Sequence, residues 1–366
     1  MARIDLDLAH SYLARPQVDT DYALLPLKMR FRDGGAYALL GPSGCGKTTL
    51  LNIMSGLLVP SKGTVQFDGV DITQTTPQQR NIAQVFQFPV IYDTMTVAQN
   101  LAFPLKNRGV GAEQIKKRVG QIAEMLEMSH QLEQRAAGLT ADQKQKISLG
   151  RGLVRPDVSA VLFDEPLTVI DPHLKWQLRR KLKQIHHELK LTFIYVTHDQ
   201  IEALTFAEEV VVMERGRAVQ IGSAEALFER PAHTFVGHFI GSPGMNFLPV
   251  QHTGEALQIG AHVLPVPTLR GLPQGPLRLG IRPEYLSLVA ANSPGAVPAV
   301  VQRMQDIGTH KMLTAGLDGH PLKARLSADA QVPSEGSTVW LQVASRHSCY
   351  YQNEALVDLA ESAVAP

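Results

Sequence analysis

Residues 41–48 read GPSGCGKT. Two glycines flank a short loop that ends on Lys-Thr, the GxxxxGK[ST] spacing of a chain that wraps phosphate oxygens. Gly41, Pro42, Ser43, Gly44, Cys45 and Gly46 would make the wrap. Glycines let the backbone approach closely, convergent N–H groups meet the oxygens, and the following helix offers its positive end. Lys47 is placed to reach β- and γ-phosphates, Thr48 to hold Mg²⁺ through its hydroxyl, and Thr49 to carry the chain into the helix TTLLNIMSGLL. A ligand-free Gly-rich turn is the alternative, but a YALL strand, the loop, the Lys, the Thr and a helix come in the order that phosphate binding requires. Cys45 reads as a small neutral filler.

Residues 160–166, AVLFDEP, end a buried strand on two carboxylates. Asp164 would hold Mg²⁺ through water opposite Thr48, and Glu165 would orient or deprotonate an attacking water. TFIYVTHDQ repeats the pattern with His198 just past another apolar strand. A neighbouring parallel strand would deliver His198 to the same sheet edge, within reach of a γ-phosphate.

The elements that must position these groups follow from periodicity. Short apolar runs (37–41, 160–164, 192–196) alternate with amphipathic segments (112–128, 173–190), which predicts a mostly parallel sheet covered by helices. EVVVM, the turn Glu214-Arg215-Gly216 and RAVQIG predict a hairpin. From 241 onward, Gly and Pro punctuate short alternating runs such as LRLGI and VWLQV, the pattern of a small antiparallel barrel or sandwich. We therefore expect an α/β domain over 1–240 and an all-β domain over 241–366. The basic run at 174–190 places Leu174, Leu178, Leu182 and Ile185 at helical spacing, so its charges form a solvated face.

Composition narrows the classes. The 366 residues carry a formal net charge of +1, which gives no global positive field for nucleic acid. The two cysteines are far apart, which suits a reducing compartment. No apolar run approaches the roughly 18 residues of a spanning helix, and the acidic N-terminus MARIDLDLAH is unlike a signal peptide.

Taken in order, GPSGCGKT, VFQ at 85–87, AVLFDEP, LTVIDP and VTHDQ resemble the motif set of ABC-transporter ATPases. The wording of VFQFPVIYDTMTVAQNLAFPLK and EALTFAEEVVVMERGRAVQIGSAEALFERP is similar to the ATPase subunits of bacterial carbohydrate importers, and GIRPEYL to their oligonucleotide-binding-like (OB-like) regulatory domain. The resemblance implies a P-loop ATPase domain that binds ATP and Mg²⁺ and works as one of two ATPase subunits beneath two transmembrane permeases. Its site would lie at the cytoplasmic face of the inner membrane, with a periplasmic or surface solute-binding protein acting indirectly. It implies that Gln87 senses Mg²⁺ and the γ-phosphate, that Asp171 bridges the two nucleotide sites, and that Tyr12 stacks on adenine, with Tyr22 as its rival. Asp171 stands in TVIDP where the family has an SALD-like sequence. Phe86, Phe88, Val90, Ile91 and Tyr92 would either line the permease groove or be core. Polyol importers, of glycerol in particular, are favoured within the family.

The family signature LSGGQ is here Leu139, Thr140, Ala141, Asp142 and Gln143. The resemblance implies that this segment faces the ATP of the opposing subunit. The glycines that allow close backbone approach are absent, and Asp142 brings negative charge toward a triphosphate. This predicts pairing with a non-identical ATPase of intact signature in preference to a homodimer. The alternative is a regulatory subunit that binds ATP and hydrolyses little.

Overall fold

The computed structural model describes residues 2–168, 170–254, 256–265, 271–331 and 333–359. The chain divides into two compact units, one ending at Ala224 and one beginning at Glu225.

In the first unit, β1 (Ile4–His10), β2 (Leu24–Phe31) and β3 (Ala36–Leu40) lead into α1 (Lys47–Ser55). Then come β4 (Lys62–Phe67), β5 (Val70–Asp71), β6 (Ile82–Val85), α2 (Val97–Lys106), α3 (Ala112–Met125) and α4 (Ala141–Leu153). The unit closes with β7 (Ala160–Asp164), α5 (Pro172–Leu189), β8 (Phe193–Thr197), α6 (Gln200–Phe206), β9 (Glu209–Glu214) and β10 (Arg217–Gly222). One sheet runs β10-β9-β3-β8-β7-β6, parallel except for the β9–β10 hairpin. A second, antiparallel sheet runs β2-β1-β4-β5.

The expected strands form because their side chains are covered on both faces, as parallel strands require. Every residue of β3 and β8 is buried. Two apolar clusters fill the two faces: Val85, Leu101, Phe163 and Phe193 belong to one, Leu39, Leu50, Leu162 and Val196 to the other. In α5, Leu178, Leu182 and Ile185 are buried, so the basic run does present its charges around an apolar stripe. The hairpin turn is at Arg215 and Gly216, both at positive φ.

The second unit holds α7 (Ala224–Glu229), α8 (Thr234–Phe239) and two antiparallel sheets. Leu248, Val250, Leu277 and Leu279 from the six-stranded sheet share one core with Val297, Ala299, Leu313 and Leu341 from the five-stranded sheet. The segment 225–240, read from sequence as the end of the first domain, belongs to this unit. Buried Arg282 explains why: its guanidinium donates to the carbonyls of Phe228 (2.9 Å), Gly237 (2.9 Å), Leu227 (3.3 Å) and Ile240. It thereby satisfies the C-terminal carbonyls that helices leave open.

Candidate functional site

The loop between β3 and α1 is shaped by its glycines. Gly46 caps α1 at φ +103°, and a Cβ there would meet the Ala23 carbonyl at 2.6 Å. The first turn of α1 has no side-chain cap and no acidic residue, so its N–H groups remain available to an anion. Lys47 is only 6% exposed. Its Nζ donates to Gly41 O at 2.8 Å and Pro42 O at 3.0 Å, and among the described residues it forms no ion pair with a carboxylate. Its remaining partner is Cys45 Sγ at 3.8 Å, so this buried cation lacks an anionic complement, and a phosphate would supply it. Cys45 is buried, and burial pushes its thiol up, against the nearby Lys47, which accords with a filler in the loop.

Sheet register assembles the carboxylates and the histidine. Asp164 pairs with Val196, and Glu165 N donates to Val196 O at 3.0 Å, which sets Glu165 beside the residues that follow β8. Glu165 itself adopts φ +46°, a conformation that an L residue holds at a cost. His198 Nδ1 lies 3.1 Å from Glu165 Oε2, and Thr168 Oγ1 lies 3.4 Å from the same oxygen. Asp164 Oδ1 is 3.5 Å from the Thr48 hydroxyl. Burial first, then Glu165, pushes the Asp164 carboxyl up, which a cation at this place would offset. Gln87 follows β6 by two residues, and Val85 pairs with Phe163, so Gln87 and Glu165 leave adjacent strands at the same sheet edge.

The structure separates Tyr12 from Tyr22. Tyr12 is 66% exposed, its hydroxyl lies 3.1 Å from Thr49 Oγ1 on α1, and the His10 ring meets it edge-on at 4.7 Å. Tyr22 is half-buried at the end of a short 3-10 turn. The LTADQ residues form the N-terminal turn of α4: Thr140 is its N-cap and Gln143 Oε1 returns to Thr140 N at 3.0 Å. The Thr140 hydroxyl donates to Asp142 Oδ1. Asp171 caps α5 through a 2.9 Å bond from His173 N, while Val169 of the LTVIDP segment lies outside the described residues.

Beside Gln87, the side chain of Phe88 is 68% exposed, Phe86, Val90 and Tyr92 are exposed too, and Ile91 packs against the core. The residues that sequence reasoning missed are supports. Buried Glu202 accepts from Thr197 Oγ1 at 2.8 Å and Tyr195 OH at 3.1 Å, fixing the strand end that carries His198. Asp199, next to His198, caps α6 through Ile201 N and Glu202 N. An Asp immediately before a helical run is the available signal for that cap.

A phosphate loop opening a helix at the C-terminal edge of a parallel sheet, with a His past the end of the adjacent strand β8 and Asp-Glu at the end of β7 one strand further on, defines a P-loop nucleoside triphosphatase. Comparison with known proteins makes this specific. Residues 24–168 match the ABC transporter family, 241–286 the MalK OB fold domain and 279–349 the TOBE domain. The chain is 39% identical over 337 residues to the sn-glycerol-3-phosphate import ATP-binding protein of Escherichia coli strain K12, covering 90% of this chain and 93% of that one. It is 38% identical over 333 residues to the protein of the same description from Salmonella typhi, covering 90% and 93%. A solved structure, cbiO1 from Clostridium perfringens, part of the ABC transporter complex cbiONQ, aligns with a TM-score of 0.57 at 26% identity over 62% of this chain and 90% of that one. The chain belongs to the ABC transporter family as an ATP-binding subunit, with OB and TOBE domains at its C-terminal end.

Proposed function

We propose that this chain binds MgATP in its own cradle, hydrolyses it, and so powers uptake of a small polyol through two partner permeases at the cytoplasmic face of the inner membrane. Among the described residues no helix is long and apolar enough to cross a membrane, so permeases must supply the path. The observation that carries the reading is Lys47, buried and bonded to loop carbonyls and the Cys45 thiol with no carboxylate partner among the described residues, in a chain that also brings Glu165 and His198 together.

Residues 41–49 wrap the phosphates, and Tyr12 offers an exposed ring to adenine. Thr48 and Asp164 would hold Mg²⁺, with Gln87 completing the set. The ion, when bound, neutralises charge that develops on the phosphoryl oxygens. Glu165 takes a proton from the attacking water while His198 holds Glu165 in place and faces the terminal phosphate. The exposed Phe86, Phe88, Val90 and Tyr92 form the surface on which a permease docks. A solute-binding protein delivers the cargo to the permeases. Glycerol is the favoured cargo, and the description of the relatives as sn-glycerol-3-phosphate importers supports a three-carbon polyol or its phosphate.

The degraded LTADQ turn favours a non-identical ATPase partner, because a homodimer would carry the defect at both sites. Asp171 would bridge the two sites. A second reading, a regulatory subunit with little hydrolysis, is favoured by one observation, the capture of the Thr140 hydroxyl by Asp142. The intact Glu165–His198 pair weighs against it.

Uptake of labelled glycerol and of labelled sn-glycerol-3-phosphate by cells carrying the transporter tests the proposal. Lys47→Ala in this chain should abolish uptake of whichever solute the wild type accumulates. Unchanged uptake of both would overturn the reading. The mass of the purified assembly distinguishes one ATPase type from two.

A further inference from the structure

Gln145 lies on α4, two residues past the LTADQ turn, and its side chain is wholly buried. Its Nε2 donates to Phe86 O at 3.3 Å and to Pro166 O at 2.7 Å. Both neighbours are carbonyl oxygens, which only accept, so the amide has one permitted orientation; the flipped one would set oxygen against oxygen. Phe86 immediately precedes Gln87, and Pro166 immediately follows Glu165. One amide therefore clasps the backbone at both groups proposed to face the γ-phosphate.

The amide is kept at a cost. Its Oε1 is buried with no hydrogen-bond partner, a state that disfavours the fold. An unbranched apolar side chain would fill the same space without that penalty, though it would give up the bonds to Phe86 O and Pro166 O. Departures of this kind are expected at functional or strained sites.

The same face of α4 continues along the segment that follows Gln87. Lys144 pairs with Asp93 at 3.2 Å, Val90 N lies 3.4 Å from Ser148 Oγ, and Arg151 donates to Val90 O at 2.9 Å with its guanidinium 4.6 Å from the Tyr92 ring centre. Positions 144, 145, 148 and 151 recur at three- to four-residue spacing, so a single helix face carries the whole segment.

We propose that Gln145 is a positioning residue: its amide fixes the spacing between the Gln87 loop and the Glu165 turn and makes both follow any displacement of α4. Because the N-terminal turn of α4 is the segment proposed to meet the opposing subunit's ATP, that amide links the partner's nucleotide to this chain's own hydrolytic groups. The inference rests on the hydrolytic reading above.

The test compares wild type with Gln145→Met in the assembled transporter, purified through this chain. Met keeps the length and volume and deletes both donors. We expect unchanged ATP affinity by calorimetry and at most a modest fall in melting temperature, since the two carbonyls left unpaired oppose the relief of the unsatisfied Oε1. We expect kcat to fall by about 10- to 100-fold at constant KM, the scale of a small misplacement in a catalytic constellation. Gln87→Ala combined with Gln145→Met should lose no more than the larger single effect, since both act through one unit. Gln145→Asn, too short to reach both carbonyls, should show the same split and serves where the Met variant does not accumulate. A kcat equal to wild type overturns the proposal, and so does an additive double variant. A parallel fall of affinity, stability and kcat also overturns it, because that is the signature of a merely structural side chain. A wild-type assembly that binds ATP and hydrolyses none removes the hydrolytic reading itself, and this inference with it.

Discussion

The hydroxyl of Thr140 is bonded to the carboxylate of Asp142, two residues along the same helical turn. Both groups that LTADQ keeps from the family signature are thereby spoken for, since Gln143 Oε1 is bonded back to Thr140 N. If this turn faces the opposing subunit's ATP as proposed, the defect is double: a negative charge stands toward the triphosphate, and the hydroxyl that would meet it is already engaged.

Replacing Ala141 and Asp142 together by Gly frees the hydroxyl and removes the charge. Two unit charges at about 4 Å in an effective dielectric of about 20 repel by about 4 kcal/mol. Recovery of only a third of that corresponds to about tenfold in rate. We therefore predict that ATP turnover of the assembled transporter rises by about that factor. Unchanged turnover would remove LTADQ from the partner's site.

Lys47→Met takes a buried cation out of the loop without disturbing its packing. The nucleotide-free protein should melt at the same temperature or higher. Its stabilisation by MgATP should vanish, where wild type gains about 2.7 kcal/mol at a hundredfold excess over Kd. Thermal unfolding with and without MgATP reads both effects, and a retained MgATP shift would place the nucleotide elsewhere.

Gly44 sits at φ +79°, yet a Cβ there would meet no protein atom within 4 Å. Gly44→Ala should cost only the left-handed backbone penalty of about 1–2 kcal/mol, so the chain still folds. The methyl group would occupy the space where phosphate oxygens must approach. Calorimetry should show ATP affinity falling by more than stability does in chemical denaturation. Undiminished affinity would mean that the phosphates do not enter the loop on that side.

Burial holds the His186 imidazole below its ordinary value, against the opposing influence of Glu208 and the Gly34 carbonyl, with His187 adding to the depression. Its Nε2 lies 3.1 Å from Gly34 O, and since that oxygen only accepts, the nitrogen donates from a neutral ring. The unfolded chain then takes up a proton before the folded one does. Stability is full above the ordinary His value of about 6.5 and is lost as pH falls through it toward the depressed folded value. His186→Gln keeps a donor for Gly34 O and does not titrate. Denaturant unfolding should show wild type losing more stability than the variant between neutral and mildly acidic pH, and parallel losses would contradict this assignment.

Much of this architecture is legible in the chain because it is written in runs. AVLFD and TFIYV are unbroken apolar strands ending on chemistry, and GPSGCGKT carries its own turn geometry, so strands, cradle, Asp164, Glu165 and His198 fall where the sequence puts them. What was not legible depends on contacts between distant positions. The segment 225–240 joins the second unit through Arg282, more than forty residues away along the chain, and a guanidinium in GIRPEYL gives no sign of which carbonyls it will meet. Tyr12 and Tyr22 are rivals in the sequence, and the greater exposure of Tyr12 and its contact with the Thr49 hydroxyl appear only in the fold. Gln145 looks like one more polar residue on a helix until its two carbonyls are seen. The exposure of Phe88 likewise has no sequence signature, since apolar runs beside a strand are ordinarily core.

The most direct test of the account is ATP hydrolysis by the assembled transporter with Glu165→Gln in this chain alone. The carboxamide keeps the shape and the place beside His198, and it cannot take a proton from water. The account predicts that ATP still binds while turnover falls by about 100-fold or more, the contribution of a positioned general base. Turnover equal to wild type would contradict it and leave this chain a nucleotide-binding regulator of an active partner.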